Sequence, residues 1–184
     1  MRIDGDGFAL VPDHPRYAGD WVQAFEGDPH LAVDWGIDEK MTEELAHKWL
    51  SQHAELWEKG EGRHFAVVAR DTGAFLGGVN FHNIRPEHRR AEVGFFLAPW
   101  ARRRGIGSAA VAAACRWAFE HWGLVRIEMM TLPDNEGSLA LAAKLGFARE
   151  GLLRQRNYER GKQVDIVMLG LLAGELLVSP EPMS

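Results

Sequence analysis

The sequence predicts an α/β domain in which helices flank one mixed central β-sheet. Strand and helix patterns alternate from residue 91 to residue 172, an order typical of an α/β unit. Before them, two apolar runs joined by Asp71-Thr72-Gly73 predict a hairpin, whose antiparallel strands make the sheet mixed. The 184 residues suffice for one domain with a sizeable core, and no linker, repeat or low-complexity segment divides them.

The first 64 residues are predicted to form one strand and two helices. Phe8-Ala9-Leu10-Val11 is typical of a short strand. Residues 15–25 predict a helix with Asp13 or His14 near its cap, and Thr42 is a favourable N-cap for a second helix. The apolar residues expected on one face of that second helix are Leu45, Trp49, Leu50 and Leu56.

The remaining chain, residues 65–172, is predicted to hold most of the sheet, and residues 173–184 are expected to form a tail. The predicted strands are residues 65–70, 75–84, 91–97, 125–132, a strand from 147 onward, and 164–172. The predicted helices are residues 105–121 and 137–145.

The composition argues against several functional classes. A net charge of −5 disfavours a nucleic-acid partner, because such domains usually carry a basic excess, and it is compatible with a cationic substrate. No apolar run approaches the roughly 20 residues of a membrane span. Residues 1–6 are acidic and lack an apolar signal segment, so we expect a cytoplasmic protein with no membrane partner.

Cysteine and histidine usage restricts the chemistry further. The single cysteine, Cys115, excludes an internal disulfide framework and lies in an apolar run, where a buried core residue is expected. The eight histidines include no closely spaced pair of the HxxxH kind, so we predict no metal.

Residues 99–108 join a predicted strand to a long predicted helix through a basic, glycine-containing loop. A helix N-terminus carries unpaired N–H groups and about half a positive charge, which favours anions. Gly105 and Gly107 would let a diphosphate approach the backbone, and the run Arg102-Arg103-Arg104 adds donors for phosphate oxygens. The spacing fits neither a P-loop nor the dinucleotide-binding GxGxxG motif. The alternative is a solvated basic loop.

Several motifs in order resemble the GNAT superfamily of N-acetyltransferases, and in particular its RimJ/RimL branch. The run from Arg102 to Gly107 matches the [RQ]xxGx[GA] loop that binds acetyl-CoA in that superfamily. The other segments that carry the resemblance are Glu92-Val93-Gly94-Phe95, Asn135-Glu136-Gly137-Ser138, Leu145-Gly146-Phe147, Glu150-Gly151 and Asp165.

The resemblance implies a single GNAT domain over residues 1–184, with about seven strands and two parallel strands splayed apart at the cofactor site. It implies acetyl-CoA as the cofactor, and direct attack by an amine without an acyl-enzyme. The residues implied to bind acetyl-CoA are Phe96 and Leu97 through their backbone, Arg102, Arg103, Arg104, Gly105, Ile106, Gly107, Ser108, Asn135 and Ser138.

Glu92 is the candidate general base. A carboxylate in an otherwise apolar strand is poorly hydrated and holds a proton more readily, which suits a base at neutral pH. The alternative mechanism is a base that acts through water. The alternatives for Glu92 are a solvent-facing position or an ion pair with Arg89 or Arg90.

Ser138 is the candidate donor to the departing thiolate, because Ala142 stands where many GNAT members carry a tyrosine acid. Tyr158 is an alternative donor. Asn135 would also serve as a helix N-cap, a role that is compatible with a contact to coenzyme A.

The RimJ/RimL resemblance implies that the acceptor is the N-terminal α-amine of a protein. Alternatives are a small-molecule amine (an antibiotic, an amino acid or a polyamine), a non-catalytic acyl-CoA-binding module and, more weakly, a nucleotide-binding protein. A homodimer is compatible with the sequence. The candidate acceptor-site residues are the acids Asp34, Asp38, Glu39 and Asp165 and the aromatics Trp35, Trp100 and Tyr158.

Overall fold

One mixed sheet organises the chain. The computed structural model describes residues 1–28, 31, 40–159 and 161–177. Its eight strands lie in the order β1-β2-β3-β4-β5-β6-β8-β7, so the last strand of the chain is inserted between β6 and β7. The strands are β1 (Ile3–Asp4), β2 (Phe8–Pro12), β3 (Arg63–Ala69), β4 (Phe75–Arg85), β5 (Arg90–Leu97), β6 (Arg126–Thr131), β7 (Ala148–Glu159) and β8 (Lys162–Leu172).

Only β5 and β6 run parallel, and their pairing is short. The registered pairs are Arg90 with Arg126, Ala91 with Ile127 and Glu92 with Glu128. Beyond that last pair β5 continues to Leu97 against β4, while β6 continues to Thr131 against β8. The two strands therefore separate at the centre of the sheet, and the edge of β5 from Val93 onward faces a gap instead of a partner strand.

The helices described lie on both faces of the sheet. They are α1 (Ala18–Gly27), preceded by a 3-10 turn at Pro15–Tyr17, α2 (Glu43–Lys59), α3 (Ile106–His121) and α4 (Glu136–Leu145). The His14 side chain accepts from the N–H of Arg16 at the 3-10 turn, and Thr42 accepts from Leu45 at the start of α2. Gly60 and Gly146 end α2 and α4 in the left-handed conformation that glycine adopts without strain.

Each face of the sheet has its own apolar core, because successive strand residues point to opposite faces. On one face the helices α3 and α4 pack on residues such as Phe65, Phe81 and Ile127. On the other face α1 and α2 cover Ala66, Val68 and Phe96. The face under α1 and α2 turns polar toward the start of β3, and this polar part adjoins the gap between β5 and β6.

The structure confirms the predicted α/β class, the mixed sheet and the splayed parallel pair. The eighth strand, the two-residue β1, was not predicted, because two residues carry no periodicity. The predicted helix over residues 15–25 is divided into a 3-10 turn and α1. Cys115 is fully buried within α3, as predicted from its apolar surroundings, and burial raises the pKa of its thiol.

Candidate active site

A cleft of about 920 Å³ opens where β5 and β6 separate. This size suits a ligand as large as a nucleotide-bearing cofactor. Its floor is formed by residues 93–97 of β5 and the end of β6 from Met129 onward. We call its two ends the anion end, where α3 and α4 begin, and the base end, formed by Asn80, His82 and Glu92. The anion end consists of Arg103, Gly105, Gly107, Ser108, Asn135, Ser138 and Lys144.

The anion end is built by the N-terminus of α3. Gly105 is its N-cap, with φ of 78°, and no side chain caps the helix there. The first-turn N–H groups therefore remain available to an external acceptor. Gly107 faces Leu97 at the end of β5, so the loop and β5 approach each other closely. A phosphate group would meet backbone donors and a helix dipole at this position.

The three consecutive arginines have different surroundings. Arg102 donates from Nε to the carbonyl of Leu97 at 3.0 Å and pairs with Asp28 at 2.6 Å, so it fastens the loop to β5. Arg103 is exposed, lines the cleft and adopts a positive φ of 59°. Arg104 does not line the cleft. Only Arg103 and part of Arg102 are therefore placed to meet an anion in it.

The start of α4 lies across the cleft from the loop. The Asn135 side chain accepts from the N–H of Ser138 at 3.0 Å, which confirms the predicted N-cap. Lys144, in the last turn of α4, donates to Ser108 Oγ at 3.0 Å and also lines the cleft. The sequence analysis did not identify Lys144, which adds a positive charge beside the loop because α3 and α4 pack side by side.

Close approach of β4 to β5 shapes the floor of the cleft. Gly77 has φ of 152°, and a Cβ at this position would collide with the carbonyl oxygen of Phe96. The Phe96 ring is buried against Trp21 and Phe25 of α1. Its backbone is thereby fixed along the cleft.

Glu92 provides the carboxylate of the base end. It is only 7% exposed, and its Oε1 lies 3.3 Å from His82 Nε2 on the neighbouring strand. Both side chains line the cleft. The alternatives of a solvent-facing Glu92 and of an ion pair with Arg89 or Arg90 are therefore wrong, because the strand register turns Glu92 toward His82.

The adjacent carboxylate, Glu128, has a different environment. It stands beside Glu92 in the register of β5 and β6 but does not line the cleft. Arg90 binds one of its oxygens, and Arg126 binds the other at 2.9 Å. Arg126 also pairs with Glu150, which raises the pKa of Arg126 and lowers the pKa of Glu150. The two arginines thus compensate the negative charge of the Glu128 carboxylate.

A polar cluster continues behind the base end, under α1 and α2. His64 of β3 pairs with Asn80 in the strand register and stacks on His53 of α2, with ring centroids 3.8 Å apart. His53 Nδ1 lies 3.0 Å from Asp13 Oδ2. Burial, together with positive charge on His53 and His82, lowers the pKa of His64 to about 3. His64 is therefore neutral at physiological pH.

The predicted site residues divide into those at the cleft and those away from it. Arg104 and Ile106 do not line it. The predicted residues that line the cleft are Glu92, Phe96, Leu97, Arg102, Arg103, Gly105, Gly107, Ser108, Asn135 and Ser138.

The three predicted acceptor-site residues that the structure describes do not line the cleft. Asp165 accepts from the N–H of Gln155 within the last hairpin. Trp100 donates to the carbonyl of Phe75, and Tyr158 is 68% exposed; neither lines the cleft. The neighbours of Tyr158, Asn157 and Glu159, do line it, because alternate residues of β7 face opposite sides. The candidates outside the described residues are Asp34, Trp35, Asp38 and Glu39.

The described residues contain neither a helix that could span a membrane nor a cluster of potential metal ligands. No helix there is long and apolar enough to cross a bilayer. No group of three or more histidine, cysteine or acidic side chains in that part of the chain is arranged to hold a metal ion.

Comparisons with known proteins agree with the geometry. A family profile described as "Acetyltransferase (GNAT) domain" matches residues 9–148. YoaA, an uncharacterized N-acetyltransferase of Bacillus subtilis, is 33% identical over 131 residues, which are 71% of this chain and 74% of YoaA. The [ribosomal protein uS5]-alanine N-acetyltransferase of Escherichia coli is 23% identical over 93% of this chain and 90% of its own length.

Among solved structures, Mycobacterium smegmatis RimJ in complex with CoA-disulfide superposes with a TM-score of 0.80 at 28% identity. The match covers 94% of this chain and 85% of that one. The family profile spans most of the chain, and the fold, the splayed strands and the loop before α3 are those expected of this family. The chain therefore belongs to the GNAT acetyltransferase family.

Proposed function

We propose that this enzyme transfers the acetyl group of acetyl-CoA to a primary amine by direct attack, and that the amine is the N-terminal α-amine of a protein. The observation that carries the proposal is the cleft between β5 and β6, which has an anion end and a carboxylate-bearing base end on one continuous floor. Its two ends suit the two substrates of such a transfer.

The described residues fit coenzyme A at the anion end. The N–H groups at the start of α3, with Arg103, would bind the diphosphate, and Lys144 adds a second cation. The Phe96–Leu97 segment lines the gap, where one of its backbone N–H groups would hold the acyl oxygen. Bound acetyl-CoA supplies an activated thioester.

Two side chains would manage the protons of the reaction. Glu92 would remove a proton from the acceptor amine at the base end, directly or through one water. Ser138, at the start of α4, would donate a hydrogen bond to the sulfur as it leaves. An acyl-enzyme at Cys115 is disfavoured, because that thiol is fully buried and does not line the cleft.

An α-amine is the easier acceptor on physical grounds. Its ordinary pKa is about 7.7–8.0, against about 10.4 for lysine, so neutralising it at pH 7 costs about 3 kcal/mol less. The name of the Escherichia coli relative, a [ribosomal protein uS5]-alanine N-acetyltransferase, supports the same acceptor class, because alanine has no side-chain amine. One buried carboxylate would then suffice as the base.

Ligand-dependent unfolding tests the cofactor half of the proposal. Acetyl-CoA at about 100 times its Kd should add about 2.7 kcal/mol of stability, seen as a raised Tm, whereas ATP and NAD should have little effect. A shift with ATP or NAD that equals or exceeds the acetyl-CoA shift would contradict the assignment of the anion end.

An acceptor panel tests the amine half. Peptides with a free N-terminus, the same peptides N-terminally blocked but with an internal lysine, and small amines such as spermidine would each be incubated with acetyl-CoA. We expect acetylation of the free N-terminus, located by mass spectrometry. Preferential acetylation of the small amines would replace the protein acceptor by the small-molecule alternative.

A further inference from the structure

Among the described residues, His82 is the titratable side chain that pairs with Glu92, the proposed base. Its Nε2 lies 3.3 Å from Glu92 Oε1, on the neighbouring strand at the registered position. The His82 side chain is 45% exposed to the cleft, whereas that of Glu92 is 10% exposed. His82 therefore connects a nearly buried carboxylate with the solvent of the cleft.

Buried polar atoms without a protein partner surround this contact. Among the described residues, His82 Nδ1, Asn80 Oδ1 and His64 Nδ1 are buried and accept or donate no hydrogen bond. Such atoms are rare in folded proteins and are usually served by ordered water. Three of them on adjacent positions of β3 and β4 indicate a hydrated polar region behind the base.

Two glycines allow close packing around that region. A Cβ at Gly94 would lie 2.6 Å from Asn80 Oδ1 and 3.5 Å from His82 Cε1. A Cβ at Gly62 would lie 2.8 Å from His64 Nε2. A side chain at either position would collide with Asn80 or His64, so the packing of the polar region depends on these glycines.

Several titratable groups surround His82. Glu92 of β5 faces it directly, while His64 of β3 is held neutral by burial. Glu128 of β6 is already neutralised by two arginines. The remaining titratable groups near this end are His53 and Asp13 behind His64, and Glu159 and Asp28 on the cleft walls.

We infer that His82 is a positioning and proton-relay residue that acts through Glu92. The inference rests on the proposed function. An N–H bond of the acceptor ammonium breaks and its proton moves to a Glu92 oxygen. That proton then passes to His82 Nε2, which regenerates the carboxylate. Protonated His82 then releases a proton to the water of the cleft and returns to its starting form, so the balance is an ammonium and a water converted to a neutral amine and a hydronium ion.

The test compares His82→Gln, which keeps a hydrogen-bonding group beside Glu92 but does not titrate, with the matched control His88→Gln. His88 also lies near a glutamate, Glu87 at 3.8 Å, but is exposed and away from the cleft. For the acceptor identified by the panel, kcat and both KM values would be measured from pH 6 to pH 10, together with the Tm of each variant.

We expect His82→Gln to lower kcat roughly tenfold or more at pH 7. The deficit should shrink as pH rises through the acceptor pKa, because the amine then arrives already neutral. The KM for acetyl-CoA and the Tm should stay near those of the wild type, and His88→Gln should match the wild type throughout. Added imidazole should restore part of the activity of His82→Ala, in proportion to its free-base concentration.

A wild-type kcat and pH profile in His82→Gln would overturn the inference, as would a deficit that is equal at every pH and unrelieved by imidazole. Failure of the proposed function looks different. In that case the wild type itself would acetylate no amine or would fail to bind acetyl-CoA. An active wild type with an inactive Glu92→Gln and an unaffected His82→Gln would refute the relay alone.

Discussion

The two ends of the cleft are built in different ways. The anion end comes from one continuous stretch, the loop and first turn of α3, with Asn135, Ser138 and Lys144 of the neighbouring helix. The base end joins Asn80, His82 and Glu92 from two strands whose register brings them together. The anion end presents the uncapped N-terminus of a helix, whereas the base end is formed by side chains of which Asn80 and Glu92 are buried. Substitutions at the two ends should therefore affect different steps.

Glu92→Gln should give the largest effect. Removing a general base lowers kcat by about 10²–10⁴-fold. Acetyl-CoA binding should be unchanged, because the substitution is isosteric and lies at the other end of the cleft. Steady-state kinetics and calorimetric titration would check both, with the exposed Glu87→Gln as the control. A variant that keeps the wild-type kcat and the acidic limb of its pH profile would remove Glu92 from the mechanism.

Arg103→Ala and Arg104→Ala form a matched pair at the anion end. A charge-assisted hydrogen bond contributes about 1.5–3 kcal/mol, so losing Arg103 should weaken acetyl-CoA binding roughly 10- to 100-fold. Arg104 does not line the cleft and should have little effect. Titration calorimetry at fixed salt would measure both Kd values, and kcat at saturation should be retained. Equal losses of acetyl-CoA affinity in the two variants would indicate that the overall positive charge of the loop attracts the cofactor. Arg103 would then make no specific contact with it.

His64→Phe should give the smallest effect, on stability. The folded pKa of His64 is about 3, below its ordinary value of 6.5, so the unfolded chain binds a proton that the folded chain excludes. The free energy of unfolding should therefore fall as pH drops from about 6.5 toward 3, by at most about 1.4 kcal/mol per unit.

Denaturant unfolding at several pH values would measure this slope in the wild type and in His64→Phe. The substitution should flatten the curve between pH 6.5 and 4, because it removes the group that titrates. An unchanged slope would mean that other groups, such as the carboxylates, account for the acid sensitivity.

The difference between the anion end and the base end also explains which parts of the site could be predicted from the sequence. The anion end lies in consecutive residues, so the glycines, arginines and helix start before Ser108 could be recognised from the chain alone. Glu92 was found through the strand motif that precedes the loop. The separation of β5 from β6 followed from the family resemblance, and periodicity alone would not have given it.

The partners of Glu92 could not be found in this way. Asn80 and His82 lie at alternate positions of an apolar strand, which was a signal that one face of β4 is polar. That signal could not say which residue faces them, because antiparallel register depends on turn geometry and on bulges such as the shift between His82 and Arg85. Lys144 was missed for a similar reason, since its contact with Ser108 joins two helices.

Cys115 has a practical consequence for every kinetic measurement above. Free coenzyme A is released at each turnover and carries a thiol, so reagents that absorb or fluoresce on reaction with thiols can follow the enzyme continuously. The protein's single cysteine is fully buried, and its raised pKa keeps it protonated. Cys115 should therefore not consume such a reagent, and the enzyme should not lose activity to it. A cysteine introduced at an exposed position such as Tyr158 would likewise be the only one to accept a fluorescent label.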